Sequence, residues 1–246
     1  MLYVSYGRGF KSGGWNVDFV STLEQLAFGD ESVNSSEVGI KTTLWDGRAR
    51  INLAYFDAQY DDFQVRQFVE LSNGGTVATL TNAGEVTSSG IEADIEVLLT
   101  ENLTFWATYG YTYSEFDSFK NGGGAGIDYD GNKLADAPET TYSVALEARF
   151  PVASGEIVAQ VDYNYRDDFY TNPNNAAINT VKSYDLANAR IGYEPNSGSW
   201  SVHAWVKNLA DNNDITYASR SFLGLPRGTY MEPRMTGLTL QYIFGE

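Results

Sequence analysis

The chain has 246 residues, no cysteine and a formal net charge of −16 at pH 7. The lack of cysteine excludes disulfides and thiolate metal sites, and the acidic balance argues against nucleic acid as a partner, since phosphate binding needs clustered Lys and Arg. No stretch approaches about 18 consecutive apolar residues, so no transmembrane helix is predicted. With 17 Tyr, 24 Gly and 6 Pro, the composition fits a barrel with a polar lumen and aromatic belts, or a secreted sugar-binding β-sandwich.

Apolar and polar residues alternate with a period of two along much of the chain, which predicts β-strands. Several of these strands are longer than the roughly five or six residues usual in globular sheets, and they reach the roughly 9–11 residues of a tilted membrane strand. Ten strands are predicted, at residues 2–12, 36–46, 48–66, 77–99, 102–119, 138–150, 155–170, 181–194, 199–209 and 234–244.

The predicted strands 77–99, 102–119 and 155–170 each place five apolar residues on one face and more polar residues on the other. A charge that faces lipid near mid-membrane costs about 2–4 kcal/mol, and none of these three apolar faces carries one. In the strand 48–66, Asp57 continues the apolar register. Either the strand rises above the membrane at that point, or a bulge intervenes.

The connections alternate in length. Tight turns are predicted at 45–48, 99–102, 151–156 and 195–199, and long loops at 13–35, 67–76, 120–137, 171–180 and 210–233. Short turns on one side and long loops on the other are typical of outer-membrane barrels, whose short turns face the periplasm. The last strand then runs toward the short-turn side, which predicts a periplasmic C-terminus. The Gly-, Asn- and Asp-rich loops are expected to be flexible over most of their length.

Six segments resemble the C-terminal half of TonB-dependent outer-membrane receptors, and they follow one another in the order of that family. Together they extend over nearly the whole chain. They are YVSYGRGFKSGGWN (3–16), SEVGIKTTLWDGRARINLAYFDAQYDDFQV (36–65), TNAGEVTSSGIEADIEV (81–97), LADAPETTYSVAL (134–146), WSVHAWVKNLADN (200–212) and YIF (242–244).

The resemblance implies an all-β protein, an antiparallel up-and-down transmembrane β-barrel, of which residues 1–246 form about the last ten strands. Receptors of this family close about 22 strands around a plug domain. The chain is expected to be a fragment without the plug, the energy-coupling box and the earlier strands, begun at an internal methionine or cut from a longer protein. An open sheet leaves two unpaired edges, which lipid does not tolerate, so no transport by the chain alone is expected.

The resemblance also implies a transporter rather than an enzyme, located in the outer membrane of a Gram-negative bacterium and without a cofactor or a bound metal. It would take up a scarce nutrient, first of all a ferric siderophore, with a saccharide or cobalamin as alternatives. The implied partners are outer-membrane lipid, the plug and remaining strands, the TonB complex acting through the plug, the barrel-assembly machinery and the small-molecule ligand. Tyr242 and Phe244 match the C-terminal aromatic signal that the assembly machinery reads.

Two alternatives of another class stay open at this point. A small independent porin-like barrel predicts that the tenth strand pairs with the first. A soluble carbohydrate-binding β-sandwich predicts that the alternating apolar faces pack against each other.

Charged residues on neighbouring strands predict one feature of the lumen. Glu92, Asp94 and Glu96 share one face of a strand and repel one another unless they are paired. If strands 48–66 and 77–99 pair, Arg48 and Arg50 lie near the same level on the inward face. We therefore predict a luminal charge ladder of these two arginines and three acids, worth little where water fills the lumen. The alternative is a bare acidic wall.

The ligand-binding candidates are aromatic and cationic residues at or beyond the outer strand ends, where members of the resembled family hold ferric chelates, sugars or cobalamin. A single tyrosine at such a level is also typical of the aromatic belt at the membrane interface, and both interpretations stay open. The candidates are Trp15, Arg66, Tyr129, Tyr170, Arg220, Arg227 and Tyr230.

Signals for catalysis or metal binding are weak. His203 is the only histidine, its position predicts a lumen-lining side chain, and no Gly-x-Ser-x-Gly turn occurs. Adjacent residues of a strand point to opposite faces, so the pairs Asp61–Asp62 and Asp167–Asp168 cannot form a catalytic dyad. The stretch DYDGNKL (128–134) resembles a calcium loop but has Lys133 where such loops have glycine, which favours a turn.

Overall fold

The computed structural model describes residues 1–17, 20, 23, 26–70, 76–220 and 225–244. Strands dominate, a 3-10 turn lies at Ala177–Asn179, and no helix among these residues has the length and hydrophobicity for crossing a bilayer. In chain order the strands are β1 (Leu2–Lys11), β2 (Gly14–Trp15), β3 (Ala27–Phe28), β4 (Glu31–Leu44), β5 (Ala49–Asp61), β6 (Gln64–Glu70), β7 (Thr76–Asn82), β8 (Glu85–Thr100), β9 (Leu103–Ser118), β10 (Thr140–Val152), β11 (Gly155–Arg166), β12 (Phe169–Tyr170), β13 (Thr180–Val181), β14 (Tyr184–Pro195), β15 (Trp200–Lys207), β16 (Ile215–Arg220), β17 (Pro226–Tyr230) and β18 (Met235–Tyr242).

Ten of these strands form one antiparallel sheet in the order β1-β4-β5-β8-β9-β10-β11-β14-β15-β18. Spatial order follows chain order, which is the predicted up-and-down arrangement, and tight turns alternate with long connections. The sheet is open, because β18 pairs with β15 and not with β1. The prediction of the porin-like alternative, a tenth strand paired with the first, is therefore wrong for the described chain.

The remaining strands form four two-stranded hairpins inside the long connections: β2–β3, β6–β7, β12–β13 and β16–β17. The predicted strands 48–66 and 77–99 are each divided by this arrangement. At the division Asp62 has a positive φ of 54°, its N–H donates to the carbonyl of Gly84 at 2.7 Å, and the β6–β7 hairpin leaves the sheet. The long loops thus carry regular structure.

The two faces of the sheet differ in chemistry, as the alternation predicts. The apolar side, here called the outer face, leaves its side chains exposed: Val161 is 52%, Ile191 55% and Leu238 78% accessible. The rows of apolar side chains do not stack into a core, so the β-sandwich alternative is wrong. Buried hydrophobic clusters lie instead near the long loops, around Phe116 and around Phe169.

The polar band of the outer face begins near Asp57. The pairing of β5 with β4 and β8 is uninterrupted there, with Asp57 opposite Ser36 and Ser89, so the strand has no bulge. Of the two explanations for this carboxylate, the bulge is excluded. The remaining explanation is that β5 extends beyond the apolar band at Asp57. A carboxylate on this face is compatible with a membrane protein only outside the hydrocarbon layer.

Aromatic side chains border the apolar band. Toward the long loops Tyr109, Tyr142 and Tyr165 stand side by side on β9, β10 and β11, and the rings of Tyr142 and Tyr165 stack with centroids 5.0 Å apart. Toward the short turns the rings of Tyr193 and Trp200 lie 5.6 Å apart. Two such rows are typical of the aromatic belts at the membrane interfaces.

Candidate functional site

The polar side of the sheet, here called the inner face, curves around a groove of about 950 Å³. Its lining extends from Tyr3 on β1 to Met235 on β18 and includes Glu92, Asp94 and Arg166. The groove crosses the whole sheet, and charged and polar side chains line it together with apolar ones.

The predicted charge ladder is present at one rung. Arg50 on β5 lies opposite Glu96 on β8 and forms an ion pair with it. At the next level Asn52 Nδ2 donates to Asp94 Oδ1 at 3.1 Å, and Glu92 faces Ala54.

Arg48 is not a rung, which corrects the prediction. It precedes β5 in the tight turn, and its Nη2 donates to the carbonyls of Leu98 and Leu99 at 3.1 and 3.0 Å. Within the described residues it forms no ion pair. Because Arg48 belongs to the turn and not to the extended strand, its guanidinium reaches the carbonyls of the neighbouring strand instead of the acids.

A second charged cluster, which the sequence did not single out, lies on the inner face near the short turns. Arg149 contacts Glu147, Glu156 and Glu194 with N–O distances of 2.9, 3.1 and 3.1 Å, and Arg190 contacts Glu147 at 3.2 Å. These residues come from β10, β11 and β14. The alternation of each strand predicts that these side chains lie on the inner face. Which of them form pairs depends on the register between strands.

His203 lies on the inner face beside this cluster. Its Nε2 is 3.6 Å from Glu194 Oε1, and its buried Nδ1 has no hydrogen-bond partner in the described part of the chain. The imidazole packs flat against Gly192, where an added Cβ would lie 2.1 Å from Nδ1. Glycine is therefore required for the ring to lie against the wall.

Two of the ligand candidates meet at the long-loop end of the sheet. Arg66 and Tyr129 line a small cleft of about 40 Å³, together with Phe119, Gly122 and residues 172–174. Arg66 is exposed and forms no ion pair with any described residue. The cleft joins three separate loops, so no local sequence pattern could have revealed it.

The other candidates do not converge with Arg66 and Tyr129. Trp15 is 70% exposed on β2, and Tyr170 on β12 is half-buried and accepts a backbone bond from Asp136 at 2.7 Å. Arg227 and Tyr230 are exposed on β17. The side chain of Arg220 lies outside the described residues.

The stretch 128–134 is a turn rather than a calcium loop. Lys120 forms ion pairs with both Asp128 and Asp130. The N–H groups of Asn121 and Phe119 also donate to the two carboxylates, at 2.9 and 2.6 Å. These contacts hold the pKa of both carboxyls below the ordinary value. Among the described residues no three His, Asp or Glu side chains are grouped as a metal site.

At the C-terminal end, Tyr242 and Phe244 are exposed on or just after β18, with ring centroids 4.7 Å apart. Gly245 and Glu246 lie outside the described residues. The two rings lie on the same side as the short turns.

Several solved structures are similar in fold. The ferric yersiniabactin uptake receptor FyuA from Yersinia pestis superposes with a TM-score of 0.81 at 18% identity, covering 99% of this chain and 35% of that one. BauA, the ferric preacinetobactin receptor from Acinetobacter baumannii, gives 0.72 at 20% identity over 98% and 34%. The copper transporter OprC gives 0.73 at 13% identity over 98% and 37%. The chain thus spans about a third of the length of these proteins, and at such identities the likeness shows the fold.

The sequence itself decides the family. The family described as TonB dependent receptor-like, beta-barrel, matches residues 1–209 of the 246. This range includes the charged inner face, the cleft of Arg66 and Tyr129, and the sheet up to the end of β15. The chain therefore belongs to the TonB-dependent receptor-like β-barrel family, a family of transport receptors of the Gram-negative outer membrane.

Proposed function

We propose that the chain forms part of the barrel wall of an outer-membrane receptor that imports a ferric siderophore with energy delivered by TonB. The family match carries this proposal. FyuA and BauA, both ferric siderophore receptors by name, support the choice of ligand. In this function the outer face contacts lipid, and further strands and a plug complete the receptor.

The orientation in the membrane is part of the proposal. Long loops then face the outside and short turns face the periplasm, which puts the C-terminus in the periplasm. Tyr242 and Phe244 would serve as the signal for the barrel-assembly machinery. The inner face would contact the plug, through which TonB acts.

For ligand capture we assign the cleft of Arg66 and Tyr129. A protein with a net charge of −16 repels anionic chelates unless a cation is free to receive them. Arg66 supplies such a cation, and a guanidinium binds carboxylate in a bidentate manner. A cleft of about 40 Å³ accepts one group of carboxylate size, because a water molecule occupies about 30 Å³. The bulk of the chelate would lie outside it.

The experiment is radioiron uptake by a deletion strain that carries the full-length gene. Three ferric chelates are offered: a trihydroxamate, a triscatecholate and a hydroxycarboxylate chelate; radiolabelled cobalamin and maltodextrin are offered in parallel. We expect saturable uptake of one chelate that stops when TonB is deleted. Uptake of maltodextrin or cobalamin alone would replace the siderophore with the alternative ligand, and uptake that is independent of TonB would reject the mechanism.

The cleft is tested in the same strain. Arg66→Ala should raise the concentration for half-maximal uptake about tenfold or more, since a hydrogen bond to a charged group contributes about 1.5–3 kcal/mol. Lys182→Ala is the matched control, because Lys182 is an exposed cation of another loop and does not line the cleft. Equal effects of the two variants would reject the assignment of Arg66.

A further inference from the structure

We infer that Asn208 positions the long outer loop between β15 and β18, and that Asp162 orients this contact from the inner wall. Asn208 belongs to the Lys-Asn-Leu-x-Asp segment of the chain, and its side chain is not needed for any strand pairing. It is 2% exposed and directly follows the last residue of β15. The role of the Asn208 side chain can therefore be inferred from its hydrogen-bond partners.

The side chain of Asn208 joins the two ends of the loop. Its Nδ2 donates to the carbonyl of Asn212 at 2.7 Å and to the carbonyl of Glu232 at 2.9 Å. Its Oδ1 accepts from the N–H of Asn212 at 2.9 Å. All the hydrogen-bonding capacity of the amide except one lone pair is used. Residues 212 and 232 enclose β16 and β17, so one side chain closes the base of this hairpin.

A relay of side chains on the inner face orients the contact. The N–H of Asn208 donates to Oδ1 of Asn188 at 3.1 Å, and Nδ2 of Asn188 donates to Oδ2 of Asp162 at 2.7 Å. A carboxylate only accepts hydrogen bonds. The amide of Asn188 must therefore turn its NH₂ toward Asp162 and its oxygen toward Asn208.

The relay continues away from the loop. Nδ2 of Asn164 donates to the same oxygen of Asp162 at 3.1 Å, and Ser143 Oγ donates to Asn164 Oδ1 at 2.6 Å. The carboxylate of Asp162 is thus held between two amides on β11 and β14. A displacement of the inner wall at this level is transmitted to the base of the loop through contacts of hydrogen-bond length.

A second asparagine of a family segment forms the same kind of contact at another loop. Asn82, in the segment Asn-Ala-Gly, accepts from the N–H of Gly29 at 2.7 Å and donates to the carbonyl of Asp62 at 2.7 Å. Its side chain thus connects the loop that precedes β4 with the residue that directly follows β5. Both segments thus place an asparagine where a loop leaves the sheet, which favours loop positioning over a role in ligand contact.

Hydrogen exchange tests the inference on the full-length receptor in detergent micelles. In Asn208→Asp the two donor bonds to the carbonyls are lost while size is kept. We expect backbone amides of β16 and β17 to exchange about tenfold faster or more, with β10 and β11 unchanged. Asn213→Asp is the matched control, because Asn213 is an exposed neighbour. Unchanged exchange in Asn208→Asp would overturn the inference.

Asp162→Leu tests whether Asp162 acts on the loop through Asn188, because within the described residues Asp162 itself has no hydrogen bond to the loop. We expect faster exchange in β16 and β17 in this variant too, and its absence would remove Asp162 from the inference. Heat-modifiable migration on gels checks that each variant is folded. If Asn208→Asp does not fold, Asn208→Ala takes its place, because it removes the same two donor bonds without adding a charge; it should accelerate exchange in β16 and β17, and unchanged exchange would overturn the inference equally.

A second readout rests on the proposed function. For the ferric chelate taken up by the unmodified receptor, Asn208→Asp should raise the half-saturating concentration and leave the maximal uptake rate nearly unchanged. An equal fall in maximal rate would indicate a merely structural role. If no chelate is taken up at all, the proposed function fails, whereas the exchange result still decides the inference about the loop.

Discussion

Arg50 and Glu96 lie directly opposite each other on β5 and β8 and form an ion pair on the inner face. Their side chains are 61% and 37% exposed, so water screens much of the attraction. We expect Arg50→Gln to leave the midpoint of urea unfolding unchanged within error, and the control Thr43→Ala should do the same. This expectation applies to the barrel without its plug, where water fills the lumen. If a plug excludes water from this wall, the same variant should lower the urea midpoint. A clearly lower midpoint in the barrel without a plug would contradict the prediction that water screens the pair.

The outer face is expected to tolerate charge only beyond the apolar band. Ile95 lies at the centre of the apolar row of β8, whereas Ser89 on the same strand and face lies opposite Asp57. Ile95→Arg should lower the free energy of unfolding by about 2–4 kcal/mol, and Ser89→Arg by about 0–1 kcal/mol. The measurement is urea unfolding in lipid vesicles. Equal costs for the two variants would mean that lipid does not contact this face.

The packing of His203 on Gly192 predicts a coupled pair. Gly192→Ala places a methyl group in the space of the imidazole, and overpacking of this kind costs about 1–3 kcal/mol. His203→Ala alone should cost little, and the double variant should recover most of the loss, which a double-mutant cycle in urea measures. If the losses in unfolding free energy of the two single variants simply add in the double variant, the imidazole of His203 is not the reason why residue 192 must be glycine.

The loop 119–131 should lose stability in acid. Asp128 and Asp130 have pKa values below their ordinary 3.8, so their contribution to stability is present above that value and is lost as the pH falls below it. The hydrogen bond from Lys120 contributes most to the lowered pKa of Asp130, whereas the N–H of Asn121 contributes most to that of Asp128. Lys120→Met should therefore raise the pKa of Asp130 more than that of Asp128.

Amide chemical shifts provide the measurement, because the N–H of Phe119 reports on Asp130 and the N–H of Asn121 on Asp128. Lys182→Met serves as the control and should leave both titrations in place. Equal shifts of the two midpoints in Lys120→Met would mean that the lysine acts on both carboxylates alike.

The local pattern of the chain was enough to predict ten sheet strands and the character of their faces, although not where β5 and β8 are divided from the β6–β7 hairpin. In β8 the row from Ile91 to Leu99 is apolar and the acids between them are not, and this pattern needs no knowledge of neighbours, because side chains alternate strictly along an extended chain. The same local reasoning predicted the alternation of tight turns with long loops and placed Arg50 near Glu96 once neighbouring strands were assumed to pair.

Which residues come into contact became clear from the folded sheet and its loops. Arg149 has partners from three strands, Arg66 and Tyr129 come from loops far apart in sequence, and Arg48 turns away from the acids at its level. These contacts depend on the register between strands and on how each loop folds back onto the sheet, and neither is encoded in the alternation of a single strand. The asparagines at the strand ends contribute to those loop positions through hydrogen bonds that form only once distant backbone segments have come together.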